Sequence, residues 1–425
     1  MKKTNLAIAT AVAMLSVGAQ AAEVKMSGFV NAVMEANNVT EKNGGEVDYD
    51  ANDKTKVGIQ ADIKINDKLS ATFQAVNRQN AWTGGSDMDD RETTVEYGFL
   101  AYKASDETTV RAGRLRTPFF LLSEYVEVGG IVPWITAPTS VYHQMPTNAF
   151  DGVDVLYNGQ LGDTSYSAQA FYGNSDADVY LSAAGFEANV DMSNMLGGNI
   201  TLTRGDWSAR LAYGQTDISF GVSPLVEMGI NQNITLLTDG AQQSFAGAEQ
   251  ALAASEQLAE IDPAQSQALA LQAQQLMTQG SMLSQQAGEL NFLATELPQE
   301  HSMSIMNLGI QGYVTDNLMV MGEYAKVTSD HKIEGDDDGY YVAATYDFFN
   351  GFTVTGTYSA REENRINDTQ VDDYTEQMVT VSYDLGNNML VRGEYRRTDG
   401  EYRQMGVVTN DYTTDNVSLS LNYVF

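Results

Sequence analysis

Arg111, Arg114 and Arg116 crowd into six positions of this 425-residue chain and close an alternating stretch, VRAGRLR. They lead into a long segment, 117–149, that carries Glu124 and Glu127 just before Gly129 and Gly130. Facing guanidinium groups and carboxylates perform no bond chemistry of their own. They set a field that orders water, orients dipolar solutes and rejects apolar ones. Arg78, Arg210, Arg392 and Arg396 fall at polar positions of their own alternating segments and could extend the same basic wall. Ordinary solvated charges or wall-stiffening salt bridges are the plainer reading of each. Arg114 is awkward, because strict alternation from Val110 and Ala112 points it to the other face unless a bulge re-aims it or the strand has already ended.

The elements that would hold these groups are strands. Val417, Leu419, Leu421, Tyr423 and Phe425 take every second position, with Ser418, Ser420 and Asn422 between them. This is the period of a strand with one apolar and one polar face. Sixteen such segments can be counted, from 24–37 and 56–65 to 388–398 and 414–425, with a gap at 221–302. Short connections near 66–68, 104–107, 159–163, 204–206, 314–317, 348–351 and 384–388 alternate with long ones near 38–55, 79–91, 117–149, 175–196, 221–302, 330–338, 363–373 and 399–413. A soluble sandwich has no reason to keep that parity. A membrane barrel does, with its apolar stripe toward lipid, its polar face toward a wet lumen, and closure to pair every backbone group. The expected fold is therefore all-β, a transmembrane antiparallel β-barrel of about sixteen strands, with first and last strands paired.

The bulk composition agrees. Lys2 and Lys3, an apolar run from Leu6 to Val17 and Ala19-Gln20-Ala21 read as a signal peptide over residues 1–21. Of 24 basic residues, 22 remain after Lys2 and Lys3, against 56 acidic ones, a formal charge of −34 for residues 22–425. Such a chain has no means of neutralising phosphates, so nucleic acid is not an expected partner. There is no cysteine, and no later segment approaches the length of a membrane helix. His143, His301 and His331 are well separated and belong to no catalytic motif, so neither an enzyme nor a cofactor is expected. Gly335-Asp336-Asp337-Asp338-Gly339 resembles a cation-binding turn only loosely, and an exposed acidic loop, open to bridging with lipopolysaccharide through divalent ions, is the milder reading.

On these features the chain resembles a Gram-negative outer-membrane porin of the general diffusion family. The resemblance covers the strand pattern on both sides of 221–302, and Tyr125-Val126-Glu127-Val128-Gly129-Gly130 is similar to the acidic, glycine-paired third loop of that family. It implies that 117–149 folds into the lumen as a constriction loop, with Arg78, Arg111, Arg114, Arg116, Glu124 and Glu127 at the narrowing and Arg210, Arg392 and Arg396 on the wall. It further implies passive diffusion of small hydrophilic solutes and ions, a homotrimer, and contact with outer-membrane lipid and lipopolysaccharide. The terminal Tyr423 and Phe425 would be read by the barrel-assembly machinery. Two alternatives stay open: a substrate-selective channel with Tyr125, Trp134 and Tyr142 as a stacking surface, and a surface adhesin or receptor anchored by its barrel.

The gap 221–302 changes composition to Ala, Gln, Leu, Ser and Glu, and no Lys or Arg occurs between Arg210 and Lys326. Two helices are expected, about 241–261 and 264–290, divided at Asp262-Pro263. Leu252, Leu258, Ile261, Leu269, Leu276, Met277 and Leu283 would form the stripe that joins them as a hairpin. The parity of the connections places this insertion in an extracellular loop between a barrel portion 22–220 and another at 303–425.

Overall fold

The computed structural model describes residues 23–41, 47–50, 54–79, 91–181, 186–296, 298–330, 335–348, 350–364, 371–404 and 407–425. The signal-peptide expectation lies outside them. The chain divides into two compact units: a barrel unit, and a helical unit comprising Tyr180–Asn189 and Ser219–Gln299.

Sixteen long strands build the wall. In chain order β1 to β8 are Glu23–Glu41, Lys56–Lys64, Leu69–Gln79, Arg91–Lys103, Thr108–Arg116, Ala149–Leu161, Thr164–Leu181 and Phe186–Arg204. β9 to β16 are Trp207–Gly221, His301–Thr315, Leu318–Ser329, Asp336–Asp347, Phe352–Asn364, Val371–Gly386, Met389–Gln404 and Val407–Val424. A four-residue strand, Val47–Asp50, pairs back onto β1. Each wall strand lies beside its sequence neighbours, and β1 pairs antiparallel with β16 through Phe29↔Val424 to Glu41↔Tyr412. Gly28 and Phe425 exchange main-chain hydrogen bonds of 2.8 and 2.9 Å at that seam. The sheet is closed, so the wall leaves no unpaired edge.

Exposure runs inside-out, as the alternation predicts. In β16 Val417 and Leu419 are 57% and 54% exposed, whereas Ser418 and Ser420 are 4% and 3% exposed. The pattern holds because water-facing groups line the lumen and pack against what fills it, while the apolar row covers the outer surface. Short turns use left-handed residues: Gly162 and Gly205 sit at φ +59° and +56° in the tight connections β6–β7 and β8–β9.

Three expectations are corrected. The long connections placed near 175–196 and 399–413 are largely strand, since β7–β8 and β15–β16 continue as hairpins whose ladders satisfy the backbone. The acidic turn at 335–339 is the start of β12. There Asp337 faces Arg361 in a two-pronged pair while Asp336 and Asp338 share Lys326 on the other face, so no ligand loop forms. Among the described residues no group of His, Asp and Glu could hold a metal ion.

The third correction concerns the helices. α1 is a short turn, Thr139–Tyr142, inside 117–149; α2 is Pro224–Leu258 and α3 is Pro263–Glu296. α2 begins earlier than expected because Ser223 caps it, accepting from the Val226 amide at 3.3 Å, with Pro224 in the first turn. The α2–α3 seam is only partly the leucine stripe. Leu276 and Leu283 reach Gly247 and Gly240, where an added Cβ would lie 3.3 Å from each leucine. Leu252, Ile261 and Met277, however, are exposed, whereas Ala241, Ser244, Ala248, Ala251 and Ser255 are buried at alternating spacings of three and four. Opposite them lie Ala273, Gly280 and Ala287, and a Cβ on Gly280 would meet the Phe245 ring at 2.7 Å. Small residues let two antiparallel backbones approach closely, and reciprocal 2.8 Å bonds between Ser255 and Ser266 close the seam at its turn. No described helix is long and apolar enough to cross a membrane, which says nothing of the strands.

Candidate functional site

The segment 117–149 leaves β5 at Arg116 and rejoins the wall at β6, and its base is pinned by a 3.0 Å bond from the Thr117 amide to the Asn148 carbonyl. Between these points the wall side chains hold its main chain. Asn199 and Arg210 donate to the carbonyls of Pro118 and Phe120 at 3.2 and 2.7 Å. Glu323 accepts from the Leu121 amide at 2.7 Å, and also from the hydroxyls of Tyr341, at 2.8 Å, and Tyr142. On the facing wall, Arg392 donates to the carbonyls of Gly129 and Trp134, Glu394 accepts from the Ile135 amide at 2.8 Å, and Arg396 donates to the Thr136 carbonyl at 2.6 Å. The loop therefore crosses the lumen from β8 and β9 to β15.

Its side chains explain why it stays there. Phe119 stands edge-on to Phe171 at 5.6 Å, and Phe171 in turn meets Phe150 at 5.0 Å. Trp134 has no exposed surface, stands edge-on to Tyr341 at 5.2 Å and donates from Nε1 to Thr357 at 2.8 Å. Inward-facing Leu115, Phe150, Phe171 and Tyr341 break the polar-in rule because the loop brings apolar groups that need a dry partner. Trp134 is accordingly removed from the stacking surface considered above, and Tyr142 is tilted against Phe120 and Tyr341; Tyr125 alone of the three is widely exposed.

The predicted charges come together in part. Glu127 is the hub: Lys56 Nζ lies 2.9 Å from Oε2, while Arg78 and Arg116 lie 3.2 and 3.8 Å from Oε1. Burial pushes its carboxyl up, but Lys56, Arg78 and Arg116 outweigh that and hold it well below the usual carboxylate range. Arg78 and Arg116 also reach Glu96, each at 2.8 Å. The expected opposition across a gap is thus a set of direct pairs. Arg111 forms a two-pronged pair with Asp154, at 2.6 Å and 3.0 Å, its register partner on β6. Glu124 is half-buried, and its carbonyl accepts from the Tyr97 hydroxyl at 3.5 Å.

Arg114 does not belong to this cluster. No bulge re-aims it: it shares the outward face with exposed Val153 and pairs with Asp151 at 3.3 Å. Arg210, Arg392 and Arg396 do line the lumen, but as anchors of loop carbonyls rather than as a bare basic wall.

Sequence alternation did not point to Glu96. It is the extra residue of a bulge, where Gln74↔Tyr97 is followed by Ala75↔Val95, and that bulge turns its carboxylate inward. Lys56, Asp154, Glu323 and Glu394 were legible only as polar positions of their strands; their roles depend on which loop atom each meets.

The model of the Gram-negative porin family matches residues 9–403. Among solved structures, a loop L8 deletion mutant of OmpT, an outer membrane protein of Vibrio cholerae, is similar at TM-score 0.54 and 14% identity, covering 96% of this chain and 100% of that one. The outer membrane channel DcaP of Acinetobacter baumannii is similar at TM-score 0.54 and 13% identity, covering 95% and 98%. An anion-selective porin from Comamonas acidovorans gives TM-score 0.54 and 11% identity, covering 95% and 100%. At such identities these likenesses concern the fold. No curated protein matches the sequence.

Proposed function

Because the chain belongs to the Gram-negative porin family, we propose that this outer-membrane barrel is a water-filled channel for passive diffusion of small hydrophilic solutes and ions. The observation that carries the reading is the inside-out wall joined to a loop held in the lumen: polar side chains face inward around 117–149, and the apolar row faces out. Diffusion down a gradient needs no energy source and no covalent step. The loop narrows a lumen that a barrel of this strand number would otherwise leave wide.

A homotrimer fits the outer surface. Exposed tyrosines and other aromatics recur on most wall strands, from Tyr102 to Tyr423; among the described residues β1, β2, β3, β5 and β8 carry none among their exposed large residues, and the first three of these are adjacent. Interfacial aromatics belong where a wall meets headgroups, so this interruption suits contact with a neighbouring copy, and the rest suits lipid and lipopolysaccharide. Tyr423 and Phe425, stacked at 5.7 Å on the outer face, are available to the assembly machinery before the seam closes. The helical insertion would lie on the extracellular side.

Planar-bilayer recording of the purified protein, paired with liposome swelling in neutral sugars, tests the reading. Stepwise conductance and swelling that falls with sugar size are expected. A folded barrel that neither conducts nor swells would refute it.

A further inference from the structure

Ion pairs in the lumen are asymmetric in what they show to water. Lys54 is 27% exposed and its partner Glu35 5%; Lys56 is 27% exposed and Glu127 4%. Arg78 is 18% exposed against 4% for Glu96, and Arg111 16% against 0% for Asp154. In each pair the carboxylate is buried and the cationic side chain is the more exposed of the two. The pairs of Arg116 and Arg396 are buried on both sides and present nothing.

The exposed cations are also neighbours. Lys54 and Lys56 alternate along the entry to β2, both facing inward onto acids. Val57 pairs with Asn77, which sets Lys56 directly across from Arg78, and both lie on the same Glu127 carboxylate. Like charges placed opposite each other repel, and here one buried carboxylate bridges them. A passing anion can share these donors from the water side, whereas a passing cation meets their charge without reaching the acids behind.

From this we infer that the constriction favours small anionic solutes, those bearing carboxylate or comparable oxyanion groups, although residues 22–425 carry a formal charge of −34. The inference rests on the channel reading above and names its solute class. The net charge points the other way, but a net charge sums groups that a solute never touches. Charges a Debye length away are screened, while groups touched in passing are not.

The test is the reversal potential of single channels in a KCl gradient, repeated with potassium acetate, at about 0.1 M and about 1 M salt, where screening lengths are ~10 Å and ~3 Å. The expected result at the higher salt is a permeability ratio of about threefold or more for anion over cation, the scale of one partly screened contact with a unit charge. Lys54→Gln with Lys56→Gln and Arg78→Gln should bring the ratio to about one or below, and Lys56→Arg should keep it. Retained heat-modifiable migration in gels verifies that each variant is folded. Cation preference of the unaltered channel at both salts overturns the inference, as does an anion preference that survives the triple substitution. Absence of any conductance overturns the channel reading instead.

Discussion

Replacing Trp134 by alanine should release the loop while leaving the barrel standing. Trp134 is fully buried, touches Tyr341 edge-on at 5.2 Å and donates to Thr357 at 2.8 Å. Emptying a buried aromatic site costs about 3–5 kcal/mol, and the lost hydrogen bond, about 1 kcal/mol net, is part of that figure. None of the wall's ladder bonds passes through this residue, so the loss falls on the seating of 117–149. At about 1.4 kcal/mol per decade, the seated-to-displaced ratio drops by between about a hundredfold and several thousandfold. The loop remains pinned at its base by Thr117 and Asn148, so it should swing rather than unravel. In planar bilayers the variant should show larger and longer-lived conductance levels, and liposomes should admit larger sugars. Trp134→Phe, which keeps a ring and loses the Thr357 bond, should stay close to the unaltered channel. The reasoning fails if pore size is unchanged while the barrel's unfolding temperature falls, since the residue would then support the wall rather than the loop.

The other expectations follow the same geometry. Gly129→Ala places a Cβ 2.2 Å from Asn31 Nδ2, so either the buried Asn31 side chain or that part of the loop must shift; enlarged sugar permeation is the readout expected if the loop gives way, and an unchanged size limit would show that Asn31 yields instead. Glu127→Gln takes the anion from Lys56 and leaves Arg78 and Arg116 to Glu96 alone, a loss of about 1–3 kcal/mol for polar partners left short; the unfolding temperature should fall and anion preference should rise, and a fall in that preference would contradict the arrangement. Burial first, and then Arg361, push His143 down to about 4 from an ordinary 6.5, with Lys56 and Arg396 acting the same way and Glu376 opposing. A displaced loop binds that proton more readily, so seating is full above pH 6.5 and weakens as pH falls toward 4. Current records between those values should grow noisier, and His143→Gln should remove the change; a pH response that persists in that variant assigns it elsewhere. Ala248→Leu overfills the small-residue seam of α2 and α3, costing about 1–3 kcal/mol, and limited proteolysis of 224–296 should speed up; equal cleavage rates would mean the seam is looser than its spacing implies.

The period of two in residues such as Val417 to Phe425 fixed the strands, their number and their faces, because a pleated strand obeys a local rule that needs no partner. Composition marked the helical insertion for the same reason. Which residues join the helices was not legible, since alanine and serine carry no strong pattern until a second backbone approaches; the visible leucines proved partly exposed. The loop 117–149 was recognisable by its length, its arginines and its paired glycines, and Glu127 by its charge. Its seat was not, because Arg392, Glu394, Arg396 and Glu323 bind main-chain atoms, and any sequence offers those. Glu96 was invisible to alternation because a bulge between β3 and β4 shifts the phase by one residue. Arg114 shows the converse, a charge read into the lumen cluster that strict alternation keeps outside. Local periodicity, then, decided the wall and its two faces. Only closure of the sheet decided which carboxylate lies behind which cation, because those partners come from strands and a loop far apart in the chain and meet through register alone.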